Sequence, residues 1–355
     1  MSRLDGYDRV TLGDYPSTFV PGEPQLPVAT VFLVLPPGSE VAEVAAAAVR
    51  SRRVLHELVV RPAQPPRILS APPADPRARE FTPANAAVYG AAAVYPPEIV
   101  KHTGTASCGG WEVAGFAVYP VRYLPLERAC LFHEEISLTV ACRTAEPSRR
   151  GAPRRPAPAL GEALRRVVLN PEDVAAFAPP AKPARKEGER RIEYVIVTHE
   201  DFAAAFEPLA RWKTRKGVPA EIFTTAWIYA NYTGADNQVR IREFLRFAFE
   251  NWGTVWVLLG GDTARVPCRK AFALDCQAGF DADENNIPCD LYYADLDGTW
   301  NAGGDPSVYG EVADEVDLLP DLFVGRAPAG TVAQAETFVA KVLAYERNPP
   351  PGYLL

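Results

Sequence analysis

The carboxylates most able to bind a ligand lie in one glycine-rich loop after Cys289. Its four aspartates could supply oxygen ligands: Asp290, Asp295, Asp297 and Asp305. Two unit charges ~4 Å apart repel by ~1 kcal/mol even in water, so carboxylates that fold close together favour a cation. Oxygen ligands with glycines for tight turns are typical of calcium sites. The loop therefore predicts a calcium site at these four residues; the alternative is a solvated acidic loop.

Cysteine and histidine offer a second kind of chemistry, because imidazole can help to form a nucleophilic thiolate. The chain holds six cysteines and four histidines, but no spacing orients one toward the other. His199 follows a predicted strand, where we expect it to cap the turn; a role in a site is the alternative. His133 lies in strand-like sequence and is expected to be structural. The spacing assigns no catalytic residue.

The cysteines form no CxxC pair, so the spacing typical of zinc sites and redox pairs is absent. We expect buried free thiols. The alternative is a disulfide among Cys268, Cys276 and Cys289. Asp262 follows LLGG, and we expect it to order that turn rather than to take part in catalysis.

Several function classes are excluded by missing signals. The chain has no GxGxxG after a strand, no phosphate loop ending in GK[ST] and no GxSxG, which argues against nucleotide enzymes and serine hydrolases. A formal net charge of −7 argues against a nucleic-acid partner. The longest apolar runs fall far below the ~20 residues of a membrane helix. Residues 1–10 show no signal peptide, so the protein stays inside the cell or its start is missing.

A basic segment rich in Pro and Ala divides the chain at residues 146–190. It has few large apolar side chains, so we expect a linker that buries little core, with one helix near residues 160–177. The linker is either a solvated spacer or a processing region, because exposed basic backbone is where trypsin-like cleavage concentrates. The processing candidates are Arg165, Arg166, Lys186, Arg190 and Arg191.

Residues 1–145 are expected to form a β-sandwich-like domain. Short apolar runs with a period of two, separated by Pro and Gly, predict strands at Val28–Leu35, Ser51–Val60, Glu112–Val121 and Glu135–Cys142. Glu40–Arg50 is the one stretch in this part that could form a short helix. Residues 62–83 are too rich in proline for a central strand and predict a surface excursion.

Residues 191–355 change to alternating strands and helices. Apolar runs at Ile192–Val197, Pro219–Thr224, Thr254–Leu259 and Leu322–Val324 predict strands joined by helices, because continuous apolar strands are typical of a parallel sheet covered on both faces. We predict a doubly wound α/β domain. Ligands of such sheets bind beyond the carboxyl ends of the strands, here near His199, Gly260 to Asp262, and Arg326.

The second half resembles the catalytic domain of the gingipain family of cysteine peptidases. The matching strings keep the family's order, and they are IEYVIVTHEDFAAAFEPLARWKTRKG from Ile192, VWVLLGGD ending at Asp262, DLYYADLDG from Asp290, and PDLFVGR from Pro320 with the helix ending AYERN. The first half is similar to that family's propeptide domain through PGEPQLPV from Pro21. The resemblance implies a caspase-like α/β fold and an α+β multidomain chain.

In the family, a Cys nucleophile and a His base in a Gly-His-Gly turn hydrolyse peptide bonds, and both follow the segment that resembles AYERN. None of the four histidines here is flanked by glycines. We therefore expect a partial zymogen whose catalytic dyad lies beyond this chain and whose α/β domain is incomplete. The resemblance further implies protein or peptide substrates, an inhibitory contact between propeptide and catalytic domain, cleavage in the linker, and an extracellular or cell-surface location.

Two other interpretations remain open. The chain could be a non-catalytic surface or binding module that keeps the fold and a calcium loop. It could also be an unrelated flavodoxin-like α/β binder, which the missing phosphate loop disfavours.

Overall fold

A computed structural model of the protein describes residues 2–55, 57–65, 81–145, 158–179, 190–272, 286–316 and 318–349. In chain order its strands are β1 Ser2–Leu4, β2 Tyr7–Arg9, β3 Ala29–Leu35, β4 Ser39–Leu55, β5 Val100–Cys108, β6 Trp111–Val118, β7 Val121–Leu124, β8 Ala129–Thr144, β9 Tyr194–Thr198, β10 Ala220–Thr224, β11 Trp256–Gly260, β12 Arg269–Ala271, β13 Ile287–Cys289 and β14 Phe323–Ala327. Its α-helices are α1 Ala86–Tyr89, α2 Pro158–Leu164, α3 Asp173–Ala176, α4 Ala203–Arg215, α5 Thr225–Asn231, α6 Asn237–Trp252, α7 Leu291–Ala294 and α8 Val332–Arg347.

Two antiparallel sheets form most of the first part of the chain. One has the order β3-β6-β5 and the other β4-β8-β7. Alternate residues of β6 point to opposite faces of its sheet. Ala114 and Phe116 are fully buried on the face that packs against apolar side chains of β4 and β8. The β-rich character predicted for this part is confirmed.

The expected helix at Glu40–Arg50 is wrong, because these residues lie inside the long strand β4. The alanine run favours a helix locally, but β4 pairs antiparallel with β8 along almost its whole length. That pairing places Val41, Val44 and Ala46 against the buried side chains of the facing sheet. Tertiary packing therefore overrides local propensity here.

Residues 158–178 pack against the first sheet. Leu169 donates its backbone N–H to Phe32 at 2.9 Å, and the Asn170 side chain makes two hydrogen bonds with the backbone of Val34. Leu160, Leu164, Val168 and Val174 are buried. The expectation that residues 146–190 bury little core is therefore wrong for residues 158–178. The boundaries at 145 and 190 remain a prediction.

A four-stranded parallel sheet organises the second part, in the order β10-β9-β11-β14. Each strand pairs in register with its neighbour, for example Leu258 with Ile196 and with Gly325. The predicted parallel sheet and the mixture of helices and sheets are confirmed. Each of the four strands begins within two residues of its predicted start. Three of them also end within one residue of the predicted end, whereas β14 extends three residues further, to Ala327.

Helices cover both faces of this sheet. Ile196 and Leu258 pack against Phe206 and Leu209 of α4 and Val339 of α8. On the other face, the alternating strand residues pack against α5 and α6; these residues are Val195, Val197, Val257 and Leu259 on the strands, and Ile228, Ile241, Phe244 and Leu245 on the helices. Two apolar layers on one sheet fix the positions of its strand ends, where the candidate site residues lie.

α6 has clear start and stop signals. Asp236 accepts a hydrogen bond from the Val239 N–H at 2.8 Å, which is N-capping, and Gly253 ends the helix with a φ of 72°.

Among the described residues, no helix is long and apolar enough to cross a membrane.

Candidate functional site

The aspartate loop, residues 290–305, is held by α6 and β14. Arg326 on β14 forms a two-pronged ion pair with Asp290, with both N–O distances at 2.7 Å. The same guanidinium donates to the backbone oxygens of Gly261 and Val266. Asp290 is therefore the ion-pair partner of Arg326. Because Arg326 also donates to Gly261 and Val266, it connects the aspartate loop to the turn that follows β11.

Asp295 is fully buried at the centre of the loop. Its Oδ1 accepts hydrogen bonds from the backbone N–H of Gly298 at 2.7 Å and of Asp297 at 3.2 Å, and its Oδ2 accepts one from the Trp300 indole at 2.7 Å. Arg242 lies 3.6 Å away. Burial raises the pKa of Asp295, although the charge of Arg242 opposes that shift. This carboxylate organises the turn around itself.

Two arginines of α6 donate hydrogen bonds to backbone oxygens of the aspartate loop. Arg242 donates to the backbone oxygens of Asp295 and Gly298 at 2.8 and 2.7 Å, and Arg246 donates to that of Leu296. We did not predict these residues as part of the site. Their spacing of four places them on one helical face, but the sequence does not show what that face meets.

Asp305 lies at the exposed end of the loop, away from these contacts. Its Oδ1 accepts hydrogen bonds from the backbone N–H and the hydroxyl of Ser307, at 2.8 and 2.7 Å. These hydrogen bonds lower the pKa of Asp305. Its described partner is therefore a local turn residue.

The aspartates that lie together are Asp295, Asp297 and Asp321. Carboxylate oxygens from the three are all within 4.8 Å of one another. Asp321 lies two residues before β14, and the sequence analysis did not name it, because its approach to Asp297 depends on packing between segments 24 positions apart. Of the four predicted ligands, Asp290 and Asp305 have the partners described above. Calcium stays a prediction, and its best-placed ligands are these three.

A crevice of about 340 Å³ lies at the carboxyl ends of β9, β10 and β11. His199, Glu200, Tyr229, Asn237 and Arg265 line it. Burial, reinforced by the Glu200 carboxylate, raises the pKa of Tyr229 to about 12, so its hydroxyl is a hydrogen-bond donor at neutral pH. The crevice lies where doubly wound sheets bind ligands, because β9 and β11 are adjacent and their connections leave in opposite directions.

The turn residues at this edge behave as predicted. His199 accepts a hydrogen bond from the backbone N–H of Asp201 at 3.2 Å and so caps the short 3₁₀ helix 200–202. Asp262 accepts hydrogen bonds from the backbone N–H of Ala264 and Arg265 at 3.0 and 3.1 Å. Both expectations, a capping histidine and an ordering aspartate, are confirmed.

Comparison with known families gives a match that covers this sheet. Residues 187–353 match the model of peptidase family C25. The second half of the chain is related to the gingipain family of cysteine peptidases. The predicted resemblance is confirmed for these residues. No curated protein matches the sequence.

Solved gingipain structures are also similar to the chain. A structure on the zymogenic latency of gingipain K from Porphyromonas gingivalis shares 18% identity over 37% of this chain and 71% of that chain, with a TM-score of 0.30. The complex of RgpB pro- and mature domains from the same organism shares 14% over 45% and 78%, with a TM-score of 0.32. The Arg-specific cysteine proteinase gingipain R shares 19% over 46% and 30%, with a TM-score of 0.29.

In the part of the chain that the structure describes, hydroxyls and carboxylates lie beside the histidine side chains. Among the described residues, the side-chain nitrogens of His102 and His133 lie near the hydroxyls of Thr105 and Ser51, and those of His199 near two carboxylates. His133 is buried, as expected of a structural residue.

The described cysteines are free thiols. Cys108, Cys130 and Cys268 are buried, whereas Cys289 is partly exposed and Cys142 exposed. Cys268 and Cys289 are therefore not joined to each other, and Cys276 lies outside the described residues. The expectation of buried thiols holds for three of the five.

The predicted processing residues fall in two different settings. Arg165 and Arg166 are exposed at the end of α2, between the buried Leu164 and Val168. Arg190 lies over the Trp252 ring at 4.8 Å and pairs with Glu221, and Arg191 pairs with Glu193. Lys186 lies outside the described residues. Cleavage at these positions remains a prediction.

Proposed function

We propose that the chain is part of the zymogen of a gingipain-like cysteine endopeptidase, with a propeptide-like first part and the first subdomain of the catalytic domain. The match of residues 187–353 to peptidase family C25 carries this proposal. The confirmed parallel sheet with helices on both faces supports it. Peptide-bond hydrolysis by a Cys/His pair is the proposed reaction of the whole protein, and proteins or peptides are its substrates.

The proposed dyad lies outside residues 1–355. Two observations support this: no described histidine contacts a cysteine, and no histidine of the chain is flanked by glycines. The described residues that line the crevice near His199 carry polar groups and include no cysteine or serine. The chain alone is therefore proposed to be inactive.

Activity measurements on two proteins test the proposal. The 355-residue chain and the product of its complete reading frame are assayed on a denatured protein substrate, before and after alkylation with iodoacetamide. We expect hydrolysis by the longer product only, and its loss on alkylation. Hydrolysis by the 355-residue chain, or a reading frame without a glycine-flanked histidine and a downstream cysteine, contradicts the proposal.

As a propeptide, the first part would inhibit the peptidase until cleavage in residues 146–190 separates it. Its direct hydrogen bonds to the C25-related region support an intramolecular contact, for example from Gly109 to Asp321. Export follows from the family resemblance, so the proposed location is extracellular or at the cell surface. Fractionation of the source cells tests the location, and a wholly internal protein contradicts it.

A second candidate function is a non-catalytic surface module that holds calcium. The group Asp295, Asp297 and Asp321 favours it, since three carboxylates near one another suit a divalent ion. Calorimetric titration of calcium into the intact chain tests the ion, with Asp297→Asn and Asp305→Asn as a matched pair. We expect Asp297→Asn to weaken binding and Asp305→Asn to leave it unchanged. No heat with the intact chain removes calcium from both candidate functions.

A further inference from the structure

The β5–β6 hairpin touches the C25-related region through one buried carboxylate. Asp321 is fully buried. Its Oδ1 accepts a hydrogen bond from the Gly109 N–H at the hairpin tip, at 2.8 Å, and its Oδ2 accepts one from the Leu296 N–H in the aspartate loop, also at 2.8 Å. A single side chain thus joins the first part of the chain to the aspartate loop.

The backbone around Asp321 is held from the same two sides. The backbone N–H groups of Asp321 and Leu322 donate to the backbone oxygen of Ala294, at 2.8 and 3.2 Å. Ala294 belongs to the aspartate loop and directly precedes Asp295. On the hairpin side, the Cys108 thiol donates to the Pro320 oxygen at 3.1 Å. Residues 320–322 are therefore a shared element between hairpin and loop.

Apolar packing fixes the hairpin in this position. Trp111 is buried, donates its indole N–H to the Val174 oxygen at 2.9 Å, and belongs to one apolar cluster with Val255. Phe323 and Leu319 pack against that cluster. Val255 and Phe323 lie at the amino ends of β11 and β14, so the hairpin docks at the edge of the sheet opposite the His199 crevice.

We propose that Asp321 couples docking of the β5–β6 hairpin to the conformation of residues 296–300. When the hairpin leaves, Asp321 Oδ1 loses the Gly109 N–H and is uncovered, so the carboxylate turns toward water to recover a hydrogen-bond partner. That movement removes the hydrogen bond to Leu296, and the loop opens. Residues 296–300 are therefore ordered when the hairpin is docked and open when it is not. The inference does not depend on the peptidase assignment.

Hydrogen exchange of the amides of residues 296–300 in the 355-residue chain tests the coupling. Trp111→Ala weakens hairpin docking. Phe116→Ala is its matched control, since Phe116 is also a buried aromatic residue of β6 but packs between the two antiparallel sheets. We expect Trp111→Ala to raise exchange in 296–300 at least tenfold more than Phe116→Ala does. Equal effects of the two variants overturn the proposal.

A conservative variant of the carboxylate gives a second test that does not depend on Trp111→Ala folding. Asp321→Asn keeps the size of the side chain but leaves one accepting oxygen for two N–H donors. We expect it to raise exchange in 296–300 in the otherwise native chain, and to remove the further effect of Trp111→Ala in the double variant. Unchanged exchange in Asp321→Asn, or additive effects in the double variant, overturns the coupling.

Discussion

At the scale of single residues, His133 shows how burial shifts the protonation of a side chain. His133 is buried beside Ser51, with its Nδ1 2.7 Å from the hydroxyl. Burial, with the nearby charge of Arg122, lowers the pKa of His133. The imidazole is therefore neutral in the folded chain at pH values where an exposed histidine is protonated.

This difference predicts a loss of stability in mild acid. Below about pH 6.5 the unfolded chain binds a proton at His133 that the folded chain does not, so the free energy of unfolding falls by up to ~1.4 kcal/mol per pH unit until the lower folded pKa is reached. Urea unfolding at pH 7.5 and pH 5.5 measures it. His133→Gln is the control, because glutamine can bond Ser51 without titrating. The same loss in both proteins contradicts the prediction.

The aspartate loop offers a matched pair of carboxylates. Asp295→Ala leaves the Trp300 indole, two backbone N–H groups and the nearby Arg242 without their buried acceptor. We expect a loss of about 3–5 kcal/mol in the free energy of unfolding. Asp305→Ala removes an exposed carboxylate and should leave the free energy of unfolding nearly unchanged. Denaturant unfolding without added metal compares the two, and similar losses would contradict the buried role of Asp295.

At the scale of elements, the sequence best predicted the strands that are marked by a continuous run of apolar residues. The apolar runs of β9 and β11 mark buried strands because both faces of the sheet are covered. β4 was missed as a strand where its alanines favour a helix, since its partner β8 lies about 90 positions away. Residues 158–178 were predicted to bury little because large apolar side chains are sparse across the Pro- and Ala-rich segment 146–190.

The same elements predict where a peptidase cannot cut. The Arg191–Ile192 bond enters β9: Ile192 is 3% exposed, its N–H donates to the Trp252 oxygen, and its oxygen accepts from the Thr254 hydroxyl at 2.7 Å. We expect trypsin to leave this bond intact until β9 unfolds. Mass spectrometry of digests in rising urea measures it, and Thr254→Val should lower the urea concentration needed. Cleavage after Arg191 in the native chain would contradict this expectation.

At the scale of the whole molecule, the C25-related region was recognisable from ordered strings, but the junction with the first part was not. Asp321 lies in the string PDLFVGR, yet its partner Gly109 is 212 positions earlier. Hydrogen bonds of that kind depend on how the two parts dock, which no local pattern encodes. The predicted calcium residues were likewise chosen by closeness in sequence, and that criterion does not show that the fold brings Asp321 beside Asp295 and Asp297.

The junction predicts that one added methyl group at the hairpin tip destabilises the chain. Gly109 and Gly38 have φ values of 58° and 69°, so alanine at either pays a similar backbone strain. A Cβ at Gly109 would lie 2.5 Å from the Leu160 side chain, whereas one at Gly38 meets nothing within 4 Å. We expect Gly109→Ala to lose about 1–3 kcal/mol more than Gly38→Ala in denaturant unfolding. Because the apolar cluster at the junction includes Val255, amides of β11 should also exchange faster in Gly109→Ala, and equal stability of the two variants would show that the junction is loosely packed.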